Sequence, residues 1–402
     1  MSVTARLDKQ EVYLDYASFS PIDSDVLLAM QPYYDEIYGN PSSMHQRGRN
    51  ARTSLELMRE KIASLMDVDK EELFFTGSGT ESNAMAIIGV ARASKQYGNH
   101  IILSAVEHVS VLEAVKMLEQ EGFVVSIAPV LPSGVIDMKT CLSLITEQTI
   151  LISCMYVNNE VGTIEPVEEL CERVKEIRKG KYPLVHTDAC QAGNLFSLKP
   201  SSLGVDLMTL NGTKVYGPSG IGLLYKRAGI PLQPFFAGGE QEGGIRAGTE
   251  SLPLIAGLAT ALTKAQEKRE EEYRRLLLLR DYFVKGLMEA VPGIIIHGNN
   301  KECSPSIVHV TIREVEGESM LLLLDAEGIY VSTGSACASH SITPSHVLVA
   351  MGYDETIIHG SLRFSMGKET TQEALAYVLE VFPSVVKRLR AISSLTQKYE
   401  TK

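Results

Sequence analysis

Six cysteines occur among the 402 residues, and no two of them form a CxxC pair. They are widely spaced: Cys141, Cys154, Cys171, Cys190, Cys303 and Cys337. This spacing excludes the usual zinc-binding pattern and a disulfide framework. We therefore expect no resident metal and a reducing, cytoplasmic environment.

Long apolar runs and an excess of basic residues are also missing. No stretch approaches the roughly 20 apolar residues of a membrane span, and the N-terminus has no apolar signal core, so export is not expected. The net charge of −11 argues against a surface that binds nucleic acid through its phosphates. With 402 residues, 45% of them hydrophobic, the chain has the size and composition of a soluble protein of two domains.

Strand-like and helical patterns alternate through the first two-thirds of the chain. Short runs rich in branched residues cover 72–76, 100–104, 124–128, 150–156 and 184–188. Stretches of helical period, such as 82–94 and 109–121, lie between them. This alternation predicts an α/β domain whose mostly parallel sheet is covered on both faces, with ligands bound beyond the carboxyl ends of the strands.

The pattern changes after a long charged helix that we predict at about 252–290. Shorter strand-like segments at 293–297, 306–311 and 329–332 then alternate with helical segments at 318–326 and 371–392. They predict a smaller α+β domain. We assign residues 15–262 to the large domain, and residues 1–14 and 263–402 to the small one.

Lys214 and Asp188 together indicate a cofactor. Asp188 ends a predicted strand, and Lys214 lies on a later Gly-rich turn. Pyridoxal phosphate (PLP) requires a lysine for its Schiff base and a carboxylate beside its pyridine nitrogen. Asn159 and Gln191 are expected at the same edge of the sheet, so the sequence predicts a PLP site there.

Two weaker signals lie near this predicted site. Gly79 and Thr80 follow a strand and open a helix, where backbone N–H groups can bind a phosphate; the alternative is a simple helix cap. His108 follows another strand and could stack on a pyridine ring or move protons. Its alternative is an ordinary loop histidine.

Cys337 lies in a segment of small residues that we predict to be a mobile loop at 333–344. A cysteine on such a loop can reach a substrate as a sulfur nucleophile, although a structural role is equally compatible with the pattern. Arg363, on a predicted strand of the small domain, is suited to bind a carboxylate or to form a surface ion pair. For Cys190 we expect a buried side chain that points away from the site.

Taken together, these motifs resemble the NifS/IscS-type cysteine desulfurases of the aminotransferase class V family. The matching segments are Gly39-Asn-Pro-Ser-Ser43, Thr80-Glu-Ser-Asn83, Val157-Asn-Asn-Glu-Val-Gly162, Lys214-x-Tyr-Gly-Pro218, Arg246-Ala-Gly-Thr249, Gly334-Ser-Ala-Cys337 and Arg363-Phe-Ser365. The resemblance runs nearly end to end. It implies the fold-type I architecture of PLP enzymes, with a mostly parallel seven-stranded sheet in the large domain.

The resemblance also implies a role for each site residue. Lys214 forms the Schiff base and moves the Cα proton, and His108 stacks on the ring and shuttles protons. Cys337 attacks the sulfur of L-cysteine and becomes a persulfide, which leaves L-alanine. The implied cofactor-binding residues are Gly79, Thr80, His108, Asn159, Asp188, Gln191, Asn211, Thr213, Lys214 and Thr249. Asn159 and Arg363 are the implied substrate-binding residues.

The same resemblance implies partners. A homodimer is expected, because the equivalent of Thr249 reaches the phosphate of the other subunit in the family. The persulfide passes to an acceptor protein, either an iron–sulfur scaffold or a thiolation enzyme, and Cys337 is a possible transient iron–sulfur ligand.

The chain departs from the family at several positions: Asn211 and Thr213 before the lysine, Glu240 and Gly243, and Ser18 and Phe19 near the substrate entrance. Alternatives to desulfuration are therefore a selenocysteine or cysteine sulfinate lyase, a transaminase, or a degenerate sulfur-transfer scaffold without turnover.

Overall fold

The computed structural model describes residues 10–178, 180–298, 302–333 and 344–393. Cys337 and most of the predicted cysteine loop lie outside these residues. In chain order the strands are β1 (Val12–Tyr13), β2 (Leu73–Thr76), β3 (His100–Ser104), β4 (Val124–Ala128), β5 (Thr149–Ser153), β6 (Leu184–Asp188), β7 (Leu207–Asn211), β8 (Gly222–Lys226), β9 (Ile294–Ile296), β10 (Ile307–Ile312), β11 (Ile329–Tyr330) and β12 (Ser361–Ser365).

Helices connect most of these strands. They are α1 (Ser24–Met30), α2 (Pro32–Asp35), α3 (Gln46–Met66), α4 (Gly79–Ala84), α5 (Val90–Ser94), α6 (Val109–Gln120), α7 (Met138–Ser143), α8 (Val167–Ile177), α9 (Pro200–Leu203), α10 (Leu252–Ala290), α11 (Gly317–Ala326), α12 (His346–Ala350), α13 (Glu355–Ile358) and α14 (Gln372–Ile392). A π-helical segment, Met85–Gly89, joins α4 to α5.

The large domain is built on a seven-stranded sheet of order β2-β8-β7-β6-β5-β3-β4. Only β8 runs antiparallel to its neighbours. Strands β2, β3, β5 and β6 are buried along their whole length, because helices cover both faces of the sheet. The predicted α/β fold with a mostly parallel seven-stranded sheet is confirmed.

The small domain packs helices against a three-stranded antiparallel sheet of order β12-β10-β9. Its core includes apolar residues of β10, β12, α11 and α14, together with Val12 and Leu14 near the N-terminus. The short parallel pair β1-β11 joins that N-terminal segment to the same domain.

The long helix α10 links the two cores. Its buried residues from Leu252 to Leu262 pack in the core of the large domain, whereas Leu276, Leu279, Phe283 and Leu287 pack in that of the small domain. The helix thus has the bounds that the sequence predicts and connects the two domains. The boundary at residue 262 stays a prediction.

Several expected strands match the observed ones, but the alternation of strand-like and helical patterns did not predict β7 and β8. The observed β8 is antiparallel to β7, and only a short 3₁₀ turn and a Gly-rich loop separate the two strands in the chain. None of the helices in the described parts of the chain is both long and apolar enough to cross a membrane.

We expect Phe364→Ala to destabilise the small domain. Phe364 is fully buried, and its ring contacts Phe283 and Phe382 at centroid distances of 5.2 and 5.6 Å. Removal of such a side chain leaves a cavity and costs about 3–5 kcal/mol. Urea unfolding should show this loss, whereas Leu278→Ala on the exposed face of α10 should change the free energy of unfolding little. Equal effects of the two substitutions would contradict this view of the core.

Candidate active site

A cavity of about 350 Å³ opens at the carboxyl ends of the parallel strands. Most of the predicted site residues line it: Gly79, Thr80, His108, Asn159, Asp188, Gln191, Asn211, Lys214 and Arg363. All but Arg363 follow or end strands of the large sheet, so the parallel topology brings them to one edge. Arg363 comes from β12 of the small domain.

The Asp188 carboxylate is held from both sides. The backbone N–H of Cys190 donates to its Oδ1 at 2.9 Å, and Asn83 Nδ2 donates to its Oδ2 at 2.6 Å. Asp188 itself is buried at the end of β6. A fixed carboxylate of this kind is a suitable partner for a protonated ring nitrogen.

A chain of hydrogen bonds connects Asp188 to His108. Asn83 Nδ2 also donates to Ser110 Oγ at 2.9 Å, and this hydroxyl lies 2.7 Å from His108 Nδ1. His108 caps α6, since its Nδ1 accepts from the Ser110 N–H. Burial lowers the pKa of His108, which favours the neutral imidazole that a proton shuttle needs.

Lys214 lies at the end of a 3₁₀ turn, Gly212–Lys214. Its Nζ donates to the carbonyl oxygen of Ala17 at 2.8 Å and to that of Ser18. Asn211 shapes the turn, because its Oδ1 accepts from the Thr213 N–H at 3.3 Å. Gln191 Nε2 donates to the same Ala17 carbonyl at 2.9 Å, which places it beside the lysine.

Arg363 is almost completely buried, and its guanidinium reaches the cavity. Its Nη1 donates to the Asn159 carbonyl at 2.8 Å, and its Nη2 donates to Asp15 Oδ1 at 2.9 Å. The neighbouring Asn158 side chain accepts from two backbone N–H groups and so shapes the turn that carries Asn159. An arginine and an amide at one end of a cavity can bind a carboxylate.

A second group of lining residues fits a phosphate. A Cβ at Gly79 would lie 2.9 Å from Cys190 Sγ and 3.1 Å from Asn211 Cβ, so only glycine allows this close packing. The Gly79 helix start and the Thr80 hydroxyl supply donors. Beside Asp188, the acceptor Asn83 Oδ1 is buried without a hydrogen-bond partner among the described residues, and it is not one of the phosphate donors. With Asp188 and Lys214, these residues fit PLP.

Cys190 borders the cavity, but its sulfur lies against Gly79 and 3.9 Å from the Thr209 carbonyl oxygen of β7. The expectation of a buried side chain that points away from the site stays a prediction. Burial and the neighbouring Asp188 raise the pKa of this thiol well above its usual value. Cys190 is therefore a poor candidate for the nucleophile.

Two predicted cofactor residues do not line this cavity. Thr213 lies beside it, where its carbonyl accepts from the Ser20 hydroxyl at 2.8 Å. Thr249 is exposed, away from the cavity of its own chain. The predicted roles of both residues stay predictions.

Three further polar residues, to which no sequence motif gives a role, line the cavity: Ser18, Asn83 and Ser110. Asn83 follows Gly79 by one helical turn, so helical spacing alone could have placed the two on one face. Ser18 was noted only as a departure from the family. Its neighbour Phe19 is 44% exposed and does not line the cavity.

A larger cavity, of about 580 Å³, lies elsewhere and contains none of these residues. Arg59 and Glu242 form a buried ion pair in its wall, and Glu240 also lines it. In the described ranges no group of three or more His, Cys, Asp or Glu residues could hold a metal. Because Lys214, Asp188 and Arg363 line the smaller cavity, we take that cavity as the candidate active site.

Comparison with known proteins agrees with this geometry. The sequence matches the aminotransferase class-V family over residues 12–378. The chain belongs to this family. It is 44% identical over 393 residues to "Cysteine desulfurase IscS" of Dictyoglomus turgidum, with 98% of each chain covered. It is 39% identical over 387 residues to "Cysteine desulfurase" of Homo sapiens, with coverage of 96% of this chain and 83% of the human one.

Solved structures give the same result. A NifS-like protein superposes with a TM-score of 0.88 at 36% identity, covering 94% of this chain and 100% of that one. A structure described as SspA in complex with cysteine has a TM-score of 0.77 at 32% identity, covering 88% and 98%. The family and the fold predicted from the motifs are confirmed.

Two buried acids near the site make stability depend on pH. Burial raises the pKa of Glu107 and of Glu165 from an ordinary value of 4.5 to about 8. As pH rises from about 4.5 to about 8, the unfolded chain loses these protons before the folded chain does, so the free energy of unfolding falls.

The side chain that replaces Glu165 in Glu165→Gln cannot ionise. We therefore expect the free energy of unfolding of this variant to fall less than that of the wild type as pH rises. Urea unfolding at pH 5.5 and at pH 8 measures it, with the exposed Glu119→Gln as the matched control. The expectation is wrong if Glu165→Gln and wild type lose the same stability between these two values.

Proposed function

We propose that this protein is a PLP-dependent cysteine desulfurase that converts L-cysteine to L-alanine and keeps the sulfur as a persulfide. The observation that carries the proposal is the convergence of Lys214, Asp188 and Arg363 on one cavity. The cysteine desulfurases to which the chain is 39–44% identical support the substrate.

One group of cavity residues would bind the cofactor, and another would bind the substrate. Gly79, Thr80 and Asn211 would hold the phosphate, and the Asp188 carboxylate would hold the ring nitrogen protonated. Bound PLP supplies a pyridinium ring that withdraws electrons from the substrate Cα. Arg363 and Asn159 would bind the substrate carboxylate. They are already neighbours, since Arg363 Nη1 donates to the Asn159 carbonyl oxygen at 2.8 Å.

Lys214 and His108 would move the protons. The Lys214 amine accepts the Cα proton when it is neutral, and its hydrogen bonds to the Ala17 and Ser18 carbonyls keep the side chain in the cavity. His108 is half-buried beside the same space, where a lowered pKa leaves the neutral ring ready to accept a proton.

Cys337 would receive the sulfur. Its thiolate attacks the substrate Sγ, the Cβ–Sγ bond breaks, and the electron pair stays on the carbon fragment, which is protonated and leaves as alanine. The new S–S bond makes Cys337 a persulfide. Its terminal sulfur then passes to the thiol of an acceptor protein, either an iron–sulfur scaffold or a thiolation enzyme.

A homodimer would complete the cofactor site. Thr249 is exposed and lies outside the cavity of its own chain, so its hydroxyl is available to the phosphate of a second subunit. This arrangement supports the dimer that the resemblance implies.

Cys337→Ala tests the proposal directly. We expect the variant to bind PLP with an unchanged absorption spectrum and to lose release of sulfide from cysteine in the presence of a reductant, because no thiolate remains to take the sulfur. Cys190→Ala is the matched control. It should retain activity, because the raised pKa of Cys190 makes this residue a poor nucleophile in the wild type. Desulfuration by Cys337→Ala at the wild-type rate would refute the persulfide mechanism. If Cys337→Ala turned over selenocysteine or cysteine sulfinate at the wild-type rate, the lyase alternative would be favoured.

Thr213→His tests the departure beside the lysine. Histidine adds a ring N–H that can reach the phosphate, whereas threonine supplies one hydroxyl. We expect tighter PLP binding, by roughly tenfold if the added bond contributes about 1.4 kcal/mol. Titration of the apoprotein with PLP, followed by absorbance, measures the dissociation constant. An unchanged constant would contradict this account of the departure at Thr213.

A further inference from the structure

Ser18 connects two residues that the proposed mechanism uses separately. Its carbonyl accepts from Lys214 Nζ, and its hydroxyl accepts from Arg363 Nη2 at 2.6 Å. The same hydroxyl donates to Asp15 Oδ1 at 2.8 Å. One residue of the N-terminal segment therefore contacts the lysine of the large domain and the arginine of the small domain.

The contacts of Arg363 explain why this hydroxyl matters. Both N–H groups of Nη2 are used, one by Asp15 and one by Ser18, and Nη1 donates to the Asn159 carbonyl. Nε is buried without a hydrogen-bond partner among the described residues. Asn159 thus holds Nη1, and Asp15 and Ser18 hold the two hydrogens of Nη2, so three acceptors fix the rotation of the planar group and Ser18 supplies one of them.

Asp15 and Ser18 contribute differently to this arrangement. Asp15 supplies the negative charge that a buried guanidinium requires, because an unpaired buried charge is strongly destabilising. Ser18 is neutral, and its hydroxyl can rotate. With Ser18 on one Nη2 hydrogen and Asp15 on the other, Nε is left without a hydrogen-bond partner among the described residues and can serve an incoming carboxylate while both contacts persist.

We propose that Ser18 is a positioning residue that orients Arg363 for the carboxylate of an amino-acid substrate. The inference rests on the proposed function, since it takes Arg363 as the group that binds the substrate carboxylate. Ser18 acts through Arg363 and not on the reacting atoms. Its removal should therefore weaken binding of ligands that carry a carboxylate more than binding of matched ligands that lack one.

The test uses the PLP-loaded protein and two ligands, L-alanine and L-alanine methyl ester, which differ only in the free carboxylate. Each is titrated while the absorption of the cofactor is followed. For Ser18→Ala we expect the dissociation constant of alanine to rise about five- to tenfold, as for the loss of one hydrogen bond to a charged group. That of the ester should stay unchanged.

Three further variants make the result specific. Ser18→Thr retains a hydroxyl and should restore alanine binding, and Ser18→Gly removes the hydroxyl if Ser18→Ala does not fold. Ser202→Ala removes an exposed hydroxyl far from the site and is the control. Wild-type alanine binding by the variants without the hydroxyl, or an equal loss for alanine and its ester, would overturn the inference.

The outcome is separable from that of the proposed function, because alanine contains no sulfur. A wild-type protein that binds alanine but releases no sulfide from cysteine would refute the desulfurase and leave the role of Ser18 intact. A desulfurase whose Ser18→Ala variant keeps the wild-type preference for alanine over its ester would refute the role of Ser18 alone.

Discussion

The buried charge of Arg363 is the constraint on which the site depends. A buried guanidinium needs an anion and further acceptors, and here they come from the turn of residues 15–18 and from the Asn159 carbonyl. That turn also accepts the hydrogen bonds of the Lys214 side chain. The partners of this one charge therefore come from the N-terminal segment and the large domain, whereas Arg363 itself belongs to the small domain.

The large sheet supplies the other half of the site. Parallel strands end at one edge, so Asp188, Asn211 and the segments after β2, β3 and β5 meet there without long loops. Hydrogen bonds from Asn83 and from the Cys190 N–H then fix the Asp188 carboxylate. A rigid sheet with fixed polar side chains at its edge suits a cofactor whose ring must stay in one orientation.

Sequence patterns were most reliable where local physics decides the structure. The strands β3, β4 and β6 have the predicted bounds, because short runs of branched residues between helices have few alternatives, and α10 runs from Leu252 to Ala290 as expected. The pattern was less informative for β7 and β8, which are joined by a turn instead of a helix. It did not give the position of the Cys190 sulfur, which depends on a tight turn packed against Gly79.

The sequence by itself determined the class of chemistry. A lysine after one strand and an aspartate at the end of another predicted the PLP site, and motifs spread from Gly39 to Ser365 carried the resemblance to the family. The tertiary structure decided which groups orient them. Arg363 and Asp15 are 348 positions apart in the chain, and the hydroxyl of Ser18 lies between them only because β1 pairs with β11 beside β12. Contacts over such separations leave no periodicity in a single sequence, so only the folded chain shows them.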